Sequence, residues 1–195
     1  MTQLAPSFDQ LAQMSIFAGL SDLQRRQIVE IATTVEFSPG ETILRQGDSS
    51  QNLWIVVEGQ CEVTRTVTRK SGGGRNGSQN GVDAIVLAEL GPYSQFGEMS
   101  FFHTAPHSAS VQAKTRVTLL RVEKKDFDQL VEDQCWAAYM LSENIIHQLA
   151  ERLRRMDQWV AELLAEEATP EAAPKERAVA EWHSFREKLF DEWTL

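Results

Sequence analysis

The chain has 195 residues, of which 42% are hydrophobic and 24% charged, so it can bury one core but is too short for two full-sized domains. Its 19 basic and 28 acidic residues give a net charge of −9, which disfavours binding to nucleic acid or to an anionic membrane. Residues 1–9 carry neither the basic cluster nor the apolar run typical of a signal peptide, and no later run approaches the roughly 20 apolar residues that span a bilayer. We therefore expect a soluble, cytoplasmic protein.

The first 35 residues are predicted to be helical. Apolar residues recur there at a helical period, with a break at Gly19, and Ser21 or Asp22 can cap the second helix. The residues that carry this pattern are Phe8, Leu11, Met14, Leu23, Ile28 and Ile31.

From residue 37 to residue 122 the period changes to two, with glycines between short runs. This pattern predicts strands at residues 42–45, 53–57, 61–68, 84–90 and 117–122. Many short strands separated by turns favour a jelly roll or a small barrel. The glycine-rich segment 71–81 is expected to form a flexible, exposed hairpin loop without phosphate chemistry, because a strand rather than a helix follows it.

Beyond Lys124 the period is helical again, first around Phe127 and Leu130 and then in a long run from Trp136 to Ala165. An apolar stripe with alternating spacings of three and four on this run is typical of a coiled-coil seam and predicts a homodimer. An ordinary amphipathic helix packed on its own domain remains the alternative. The stripe consists of Ile146, Leu149, Leu153, Met156, Val160 and Leu163.

A proline-containing linker at residues 168–175 is expected to precede an amphipathic tail helix at residues 176–195. The tail carries an aromatic stripe that includes Trp182, Phe185 and Trp193. Such a stripe either docks on this protein or is captured by a protein partner.

Residues 96–111 are the one stretch whose residue types indicate a binding site. Gly97 and Glu98 open a predicted helical turn, whose first backbone N–H groups attract a phosphate while the carboxylate accepts hydrogen bonds from ribose hydroxyls. The small residues Ser108, Ala109 and Ser110 allow a ligand to approach the backbone closely.

This segment resembles the phosphate-binding cassette of the cyclic nucleotide-binding domain family. The matching residues are Phe96-Gly97-Glu98 and, after a spacer, Pro106-His107-Ser108-Ala109-Ser110-Val111. The similarity extends over roughly residues 11–160 and includes the turns Pro39-Gly40-Glu41 and Gln46-Gly47-Asp48 and the segment 53–59.

The resemblance implies a mainly β fold, a cyclic nucleotide-binding jelly-roll β-barrel with N-terminal helices and a long C-terminal helix. The expected segments are an N-terminal helical segment at 1–35, the jelly roll at 36–123, C-terminal lid and dimerisation helices at 124–167, the linker and the tail. The implied ligand is cyclic AMP or cyclic GMP. The implied binding residues are Phe96, Gly97, Glu98, Met99, Ser100, His107, Ser108 and Ser110.

His107 departs from the family pattern, because it stands where the family has an arginine that binds the phosphate. Histidine is mostly neutral at pH 7 and offers at most one donor per nitrogen, whereas arginine is always charged and can bind a phosphate with two hydrogen bonds. Loss of a charged hydrogen-bonding partner costs about 1.5–3 kcal/mol, which lowers affinity about 10- to 150-fold. The sequence therefore predicts weakened rather than abolished binding.

Other chemistry has less support. Glu98 could instead cap the short helix. His103 and His107 lack a visible third metal ligand, and a haem held by His103, His107 or Cys61 lacks an attachment motif. Cys61 and Cys135 have no motif spacing and are expected to be small buried hydrophobes, so no metal is predicted.

These observations favour a cyclic nucleotide sensor whose C-terminal helix moves when ligand binds, and not an enzyme. Only about 30 residues follow Ala165, without a second three-helix pattern, so no DNA-binding domain is expected there. The alternative is a degenerate module that lost nucleotide affinity with the arginine and acts as a protein–protein adaptor. A metal enzyme of related jelly-roll architecture is a third hypothesis, disfavoured by the missing ligand set.

Overall fold

The computed structural model describes the backbone of residues 8–69 and 81–167 and the side chains of residues 10–68 and 83–162. The helices of this part are α1 (Phe8–Ala12), a 3-10 helix (Ser15–Phe17), α2 (Asp22–Glu30), α3 (Glu98–Phe102), α4 (Lys124–Glu132) and α5 (Trp136–Glu167). The strands are β1 (Ala32–Phe37), β2 (Thr42–Leu44), β3 (Asn52–Glu58), β4 (Cys61–Arg69), β5 (Gly81–Leu90), β6 (Gln95–Phe96), β7 (Ser110–Ala113) and β8 (Val117–Glu123).

The strands form two four-stranded antiparallel sheets, in the orders β1-β8-β3-β6 and β2-β7-β4-β5. This arrangement confirms the predicted antiparallel jelly-roll class. In the first sheet β8 is one of the two inner strands and pairs with both β1 and β3, so that Ala32 and Leu53 both lie opposite Val122. In the second sheet β4 and β5 form the longest pairing, from Cys61 opposite Leu90 to Arg69 opposite Gly81.

The predicted helical segment ends too late, because residues 32–35 belong to strand β1. Thr33, Thr34 and Val35 are β-branched, which restricts their rotamers in a helix and suits a pleated strand. Pairing of β1 along β8 then fixes the strand. The short strands β6 and β7 were also not predicted, since two to four residues are too few to show a period of two.

Strand β3 forms the centre of the sheet that supports the predicted site. Its residues 53–57 are all buried, which gives the continuous apolar run expected of a strand covered on both faces. Within this sheet the indole of Trp54 stacks on Phe96 at a centroid distance of 6.1 Å and meets Phe37 edge-on at 5.9 Å. Burial of these rings anchors β6, and with it the start of the cassette.

The contacts divide the chain into two compact units, one comprising residues 32–124 and one comprising the helical segments on either side. In the helical unit, Ser21 caps α2 and forms a reciprocal capping box with Gln24, as its side chain type predicts. The amide of Asn144 on α5 donates to the carbonyl oxygens of Ile16 and Ala18, at 3.0 and 2.9 Å. These bonds tie α5 to the 3-10 helix.

Some sequence expectations for buried residues are corrected. Leu23, predicted on the apolar face of its helix, is 70% exposed. It lies in the first turn of α2, two residues after the N-cap, and the residue that this helix buries is Ile28. Cys61 is buried as predicted, but Cys135, in the connection between α4 and α5, is only half-buried.

Three expectations lie outside the described residues: most of the loop 71–81, the linker 168–175 and the tail 176–195. The same holds for the side chain of Leu163. No helix in the described part of the chain is both long and apolar enough to cross a membrane.

Candidate functional site

The cassette begins at Gly97, whose backbone has a φ of 85° in the left-handed region. A Cβ atom at this position would lie 2.4 Å from the carbonyl oxygen of Asn52 and 3.3 Å from Cδ1 of Trp54. Only glycine combines this conformation with so close an approach of two backbones. The turn brings β6 directly into α3.

Helix α3 places Glu98 and Ser100 on its buried side and Met99 on its exposed side. Glu98 is 3% exposed, so its side chain is shielded from bulk solvent. Phe101 is fully buried and fixes the helix. The lysine Lys124 lies over its ring, 5.9 Å from the centroid.

His107 is buried between two serine hydroxyls. Its Nδ1 lies 2.9 Å from Oγ of Ser100, and its Nε2 lies 2.7 Å from Oγ of Ser50. The residue is 5% exposed. The imidazole is therefore part of the wall of the cassette, with a hydrogen-bonding partner on each nitrogen.

The turn between β2 and β3 holds the second half of the cassette in place. The backbone N–H of His107 donates to the carbonyl of Asp48 at 2.8 Å, and the N–H of Gly47 donates to the carbonyl of His107 at 2.9 Å. Nε2 of Gln51 donates to the carbonyl of Ser100 and to Oγ1 of Thr104, both at 3.1 Å. These hydrogen bonds fix the spacer and His107 without a ligand.

Ser108 and Ser110, predicted to contact the phosphate, lie on the same segment but differ in environment. Ser108 is exposed, and its hydroxyl has a long contact of 4.0 Å to the sulfur of Met99. Ser110 is half-buried, and its Oγ accepts a hydrogen bond from the backbone N–H of Gln46 at 2.9 Å. The Ser110 hydroxyl can still donate a hydrogen bond, and the Ser108 hydroxyl, which points at the weak sulfur acceptor, can donate to a stronger one.

Phe96, which was predicted to be a binding residue, has a structural role. It is 5% exposed and stacks on Trp54. Its ring supports the turn at Gly97.

The cassette segment itself carries no permanent positive charge. Segment 96–113 contains neither lysine nor arginine. Burial lowers the pKa of His107 below its ordinary value, and the Asp48 carboxylate partly opposes this effect. Because a histidine with a lowered pKa is neutral at pH 7, the cassette offers hydroxyl, imidazole and backbone donors instead of a cation.

The chemistry of the donor set disfavours the metal and haem alternatives. Cys61 is buried, and this burial raises the pKa of its thiol to about 12, so the thiol is protonated at pH 7. Both nitrogens of His107 are engaged by serines. Across the described residues, no group of three or more His, Cys, Asp and Glu side chains could hold a metal ion.

Sequence reasoning missed Ser50 and Gln51. Both follow the turn Gln46-Gly47-Asp48, yet their partners Ser100 and His107 are about fifty residues away in sequence. The sequence offered one clue to these two residues, which is that they lie beside this turn. Polar residues beside a glycine turn are common in any loop, so the clue does not single them out.

Comparisons with known proteins point to one family. Residues 34–134 match the family described as "Cyclic nucleotide-binding domain". The chain is 30% identical over 121 residues to a cAMP-dependent protein kinase regulatory subunit from Schizosaccharomyces pombe, covering 62% of this chain and 26% of that protein. It is 28% identical over 156 residues to a CRP-like cAMP-activated global transcriptional regulator from Mycobacterium tuberculosis, covering 79% of this chain and 62% of that protein.

Among solved structures, the catabolite activator protein of Thermus thermophilus is similar, with a TM-score of 0.64 and 29% identity. The alignment covers 79% of this chain and 65% of that one. The chain thus spans less than two thirds of the length of each of these proteins.

Proposed function

This chain belongs to the cyclic nucleotide-binding domain family, and we propose that it is a cytoplasmic regulatory sensor in which cyclic AMP or cyclic GMP binds at the cassette of residues 96–111. The observation that carries the proposal is the cassette itself. Glu98 is buried, the turn at Gly97 admits no side chain, and Ser108 and Ser110 present hydroxyls on the neighbouring segment.

The proposed contacts divide between ribose and phosphate. Glu98 accepts hydrogen bonds from the ribose 2′-hydroxyl, and the backbone around Gly97, Met99 and Ser100 lies against ribose and phosphate. Ser108 and Ser110 donate to the cyclic phosphate beside His107. The relatives whose names include cAMP support this ligand class, and the buried carboxylate supports a ribose partner.

The experiment is a thermal denaturation series with cyclic AMP, cyclic GMP and 5′-AMP. A ligand that binds the folded state raises the midpoint in proportion to ln(1 + [L]/Kd). We expect one or both cyclic nucleotides to raise it, with a smaller effect of 5′-AMP because its phosphate carries more negative charge to a cassette segment that contains neither lysine nor arginine. No shift with either cyclic nucleotide at millimolar concentration would contradict the proposal.

In this proposal the signal leaves through α5. Ligand binding shifts the population of two arrangements of this helix. An apolar stripe on α5 supports pairing with a second copy of the chain, because Ile146, Leu153, Met156 and Val160 are exposed while Leu149 is half-buried. Tyr139 is also exposed and precedes Ile146 by one heptad, which extends the proposed seam towards the start of the helix.

One observation favours a second function: His107 is buried with a lowered pKa, so it offers no positive charge to a phosphate at pH 7. In this alternative the chain is an adaptor without useful nucleotide affinity, and the tail of residues 176–195 recruits a protein partner. Its test is deletion of residues 176–195. Loss of a co-purifying partner at unchanged thermal stability supports the adaptor, whereas loss of stability means that the tail docks on its own protein.

A further inference from the structure

Three side chains of the cassette region form a hydrogen-bonded row from the interior to the surface. Ser100 is 3% exposed and bonds Nδ1 of His107, which is itself 5% exposed. Nε2 of His107 bonds Ser50, which is exposed. The Ser50 hydroxyl thus forms the outer end of this row.

The tautomer of a neutral His107 decides what Ser50 presents. If Nε2 carries the proton, it donates to Oγ of Ser50, and the Ser50 O–H is free to donate outward, while Nδ1 accepts from Ser100. If Nδ1 carries the proton, it donates to Ser100, and the Ser50 O–H is used up by Nε2, which leaves only lone pairs outward. Both tautomers satisfy the same two distances.

An anion can discriminate between these two states. A phosphate oxygen accepts hydrogen bonds, so it is attracted by the first state and repelled by the outward lone pairs of the second. Because a hydrogen bond to an anion polarises the donor, the bonds behind it along the row strengthen as well.

We propose that Ser50 is a further ligand-binding residue, which donates its hydroxyl to the phosphate of the bound nucleotide, and that His107 acts through Ser50 as a positioning residue by taking the Nε2–H tautomer. This inference rests on the proposed binding of a cyclic nucleotide at the cassette. The phosphate contact that the family's arginine would make is then made by the Ser50 hydroxyl, at the outer end of an uncharged row of hydrogen bonds. Ser50 lies in the turn between β2 and β3.

The experiment measures the tautomer and the affinity separately. In protein labelled with ¹⁵N-histidine, the two ring nitrogens of His107 give different ¹⁵N shifts when protonated and when not, so the tautomer is read directly with and without cyclic AMP. Binding is measured by calorimetry for the parent, Ser50→Ala, Ser50→Thr and Ser49→Ala. Ser49 is the matched control because it is the exposed serine next to Ser50.

We expect cyclic AMP to move the parent to the Nε2–H form. Ser50→Ala should lower affinity about 10-fold and abolish the tautomer change, while Ser50→Thr restores both and Ser49→Ala changes neither. Cyclic AMP binding with an unchanged His107 tautomer, or with equal affinity in Ser50→Ala, overturns this inference alone. Absence of cyclic nucleotide binding to the parent overturns the proposed function and this inference with it.

Discussion

Nδ1 of His107 lies 2.9 Å from Oγ of Ser100, and both residues are almost completely buried. The hydrogen bond compensates the desolvation of a polar ring, since a buried imidazole nitrogen without a partner costs about 1–3 kcal/mol. It does not compensate the burial of a protonated imidazole, because the desolvation of a charged ring costs more free energy than hydrogen bonds to two neutral hydroxyls provide. The fold therefore prefers neutral His107.

The first prediction concerns stability and pH. Burial lowers the pKa of folded His107 below its ordinary value of 6.5, so the unfolded chain binds a proton at a higher pH than the folded chain. Stability from this residue is full above that ordinary value and is lost as pH falls through the folded pKa. Urea denaturation between pH 8 and pH 5 should show a steeper loss for the parent than for His107→Gln. Parallel curves for the two proteins would contradict the lowered pKa.

The second prediction concerns Gly97. Gly97→Ala must place a Cβ in the left-handed region and against the Asn52 carbonyl, which should cost about 1–3 kcal/mol of stability and weaken nucleotide binding. Gly91→Ala is the matched control, because a Cβ there has open space and φ is not positive. Denaturation midpoints for both variants provide the measurement. Equal midpoints would mean that the turn relaxes freely.

The third prediction concerns the position of the missing arginine. His107→Arg adds a permanent charge that can bind a phosphate with two hydrogen bonds, so it should tighten cyclic nucleotide binding about 10-fold or more at pH 7. His107→Lys is the control, since it adds charge without the planar fork and should gain less. If the arginine variant folds, as judged by its thermal midpoint, and binds no better than the parent, the phosphate does not lie beside residue 107.

The fourth prediction concerns the stripe on α5. Leu153→Asp combined with Val160→Asp would bury charges in both helices of a dimer, at a cost of several kcal/mol. The double variant should be monomeric by light scattering. Gln158→Asp combined with Ala161→Asp adds the same charge beside the stripe, at other exposed positions of the same helix, and should leave the dimer intact. A parent that is monomeric at tens of micromolar would refute the seam.

The fold was largely predictable because its signals are local. Alternation identified the strands at residues 42–45, 53–57, 61–68, 84–90 and 117–122, and the structure confirms each of them. Residues 32–35 were mistaken for helix because their strand depends on pairing with β8, almost ninety residues later in the chain.

The sequence motif of the site was predictable, but the contacts between residues that are far apart in the sequence were not. The cassette residues from Gly97 to Ser110 adjoin one another in sequence, and a short motif is visible without a structure. The partners of His107 come from both sides: Ser100 lies on the motif, whereas Ser50 lies 57 residues away. No periodicity or spacing links such a pair, so the burial of His107 and the lowering of its pKa by that burial could be learned only from the structure.

The most direct test is a calorimetric titration of cyclic AMP and cyclic GMP into the parent chain and into Glu98→Ala. We expect saturable binding to the parent, with a stoichiometry of one nucleotide per chain. Glu98→Ala should bind about 10- to 150-fold more weakly, because a charged hydrogen-bonding partner of the ribose is lost. Glu89→Ala, which removes an exposed carboxylate, should bind like the parent. Absence of binding to the parent, or equal affinity of the parent and a folded Glu98→Ala, would contradict the account.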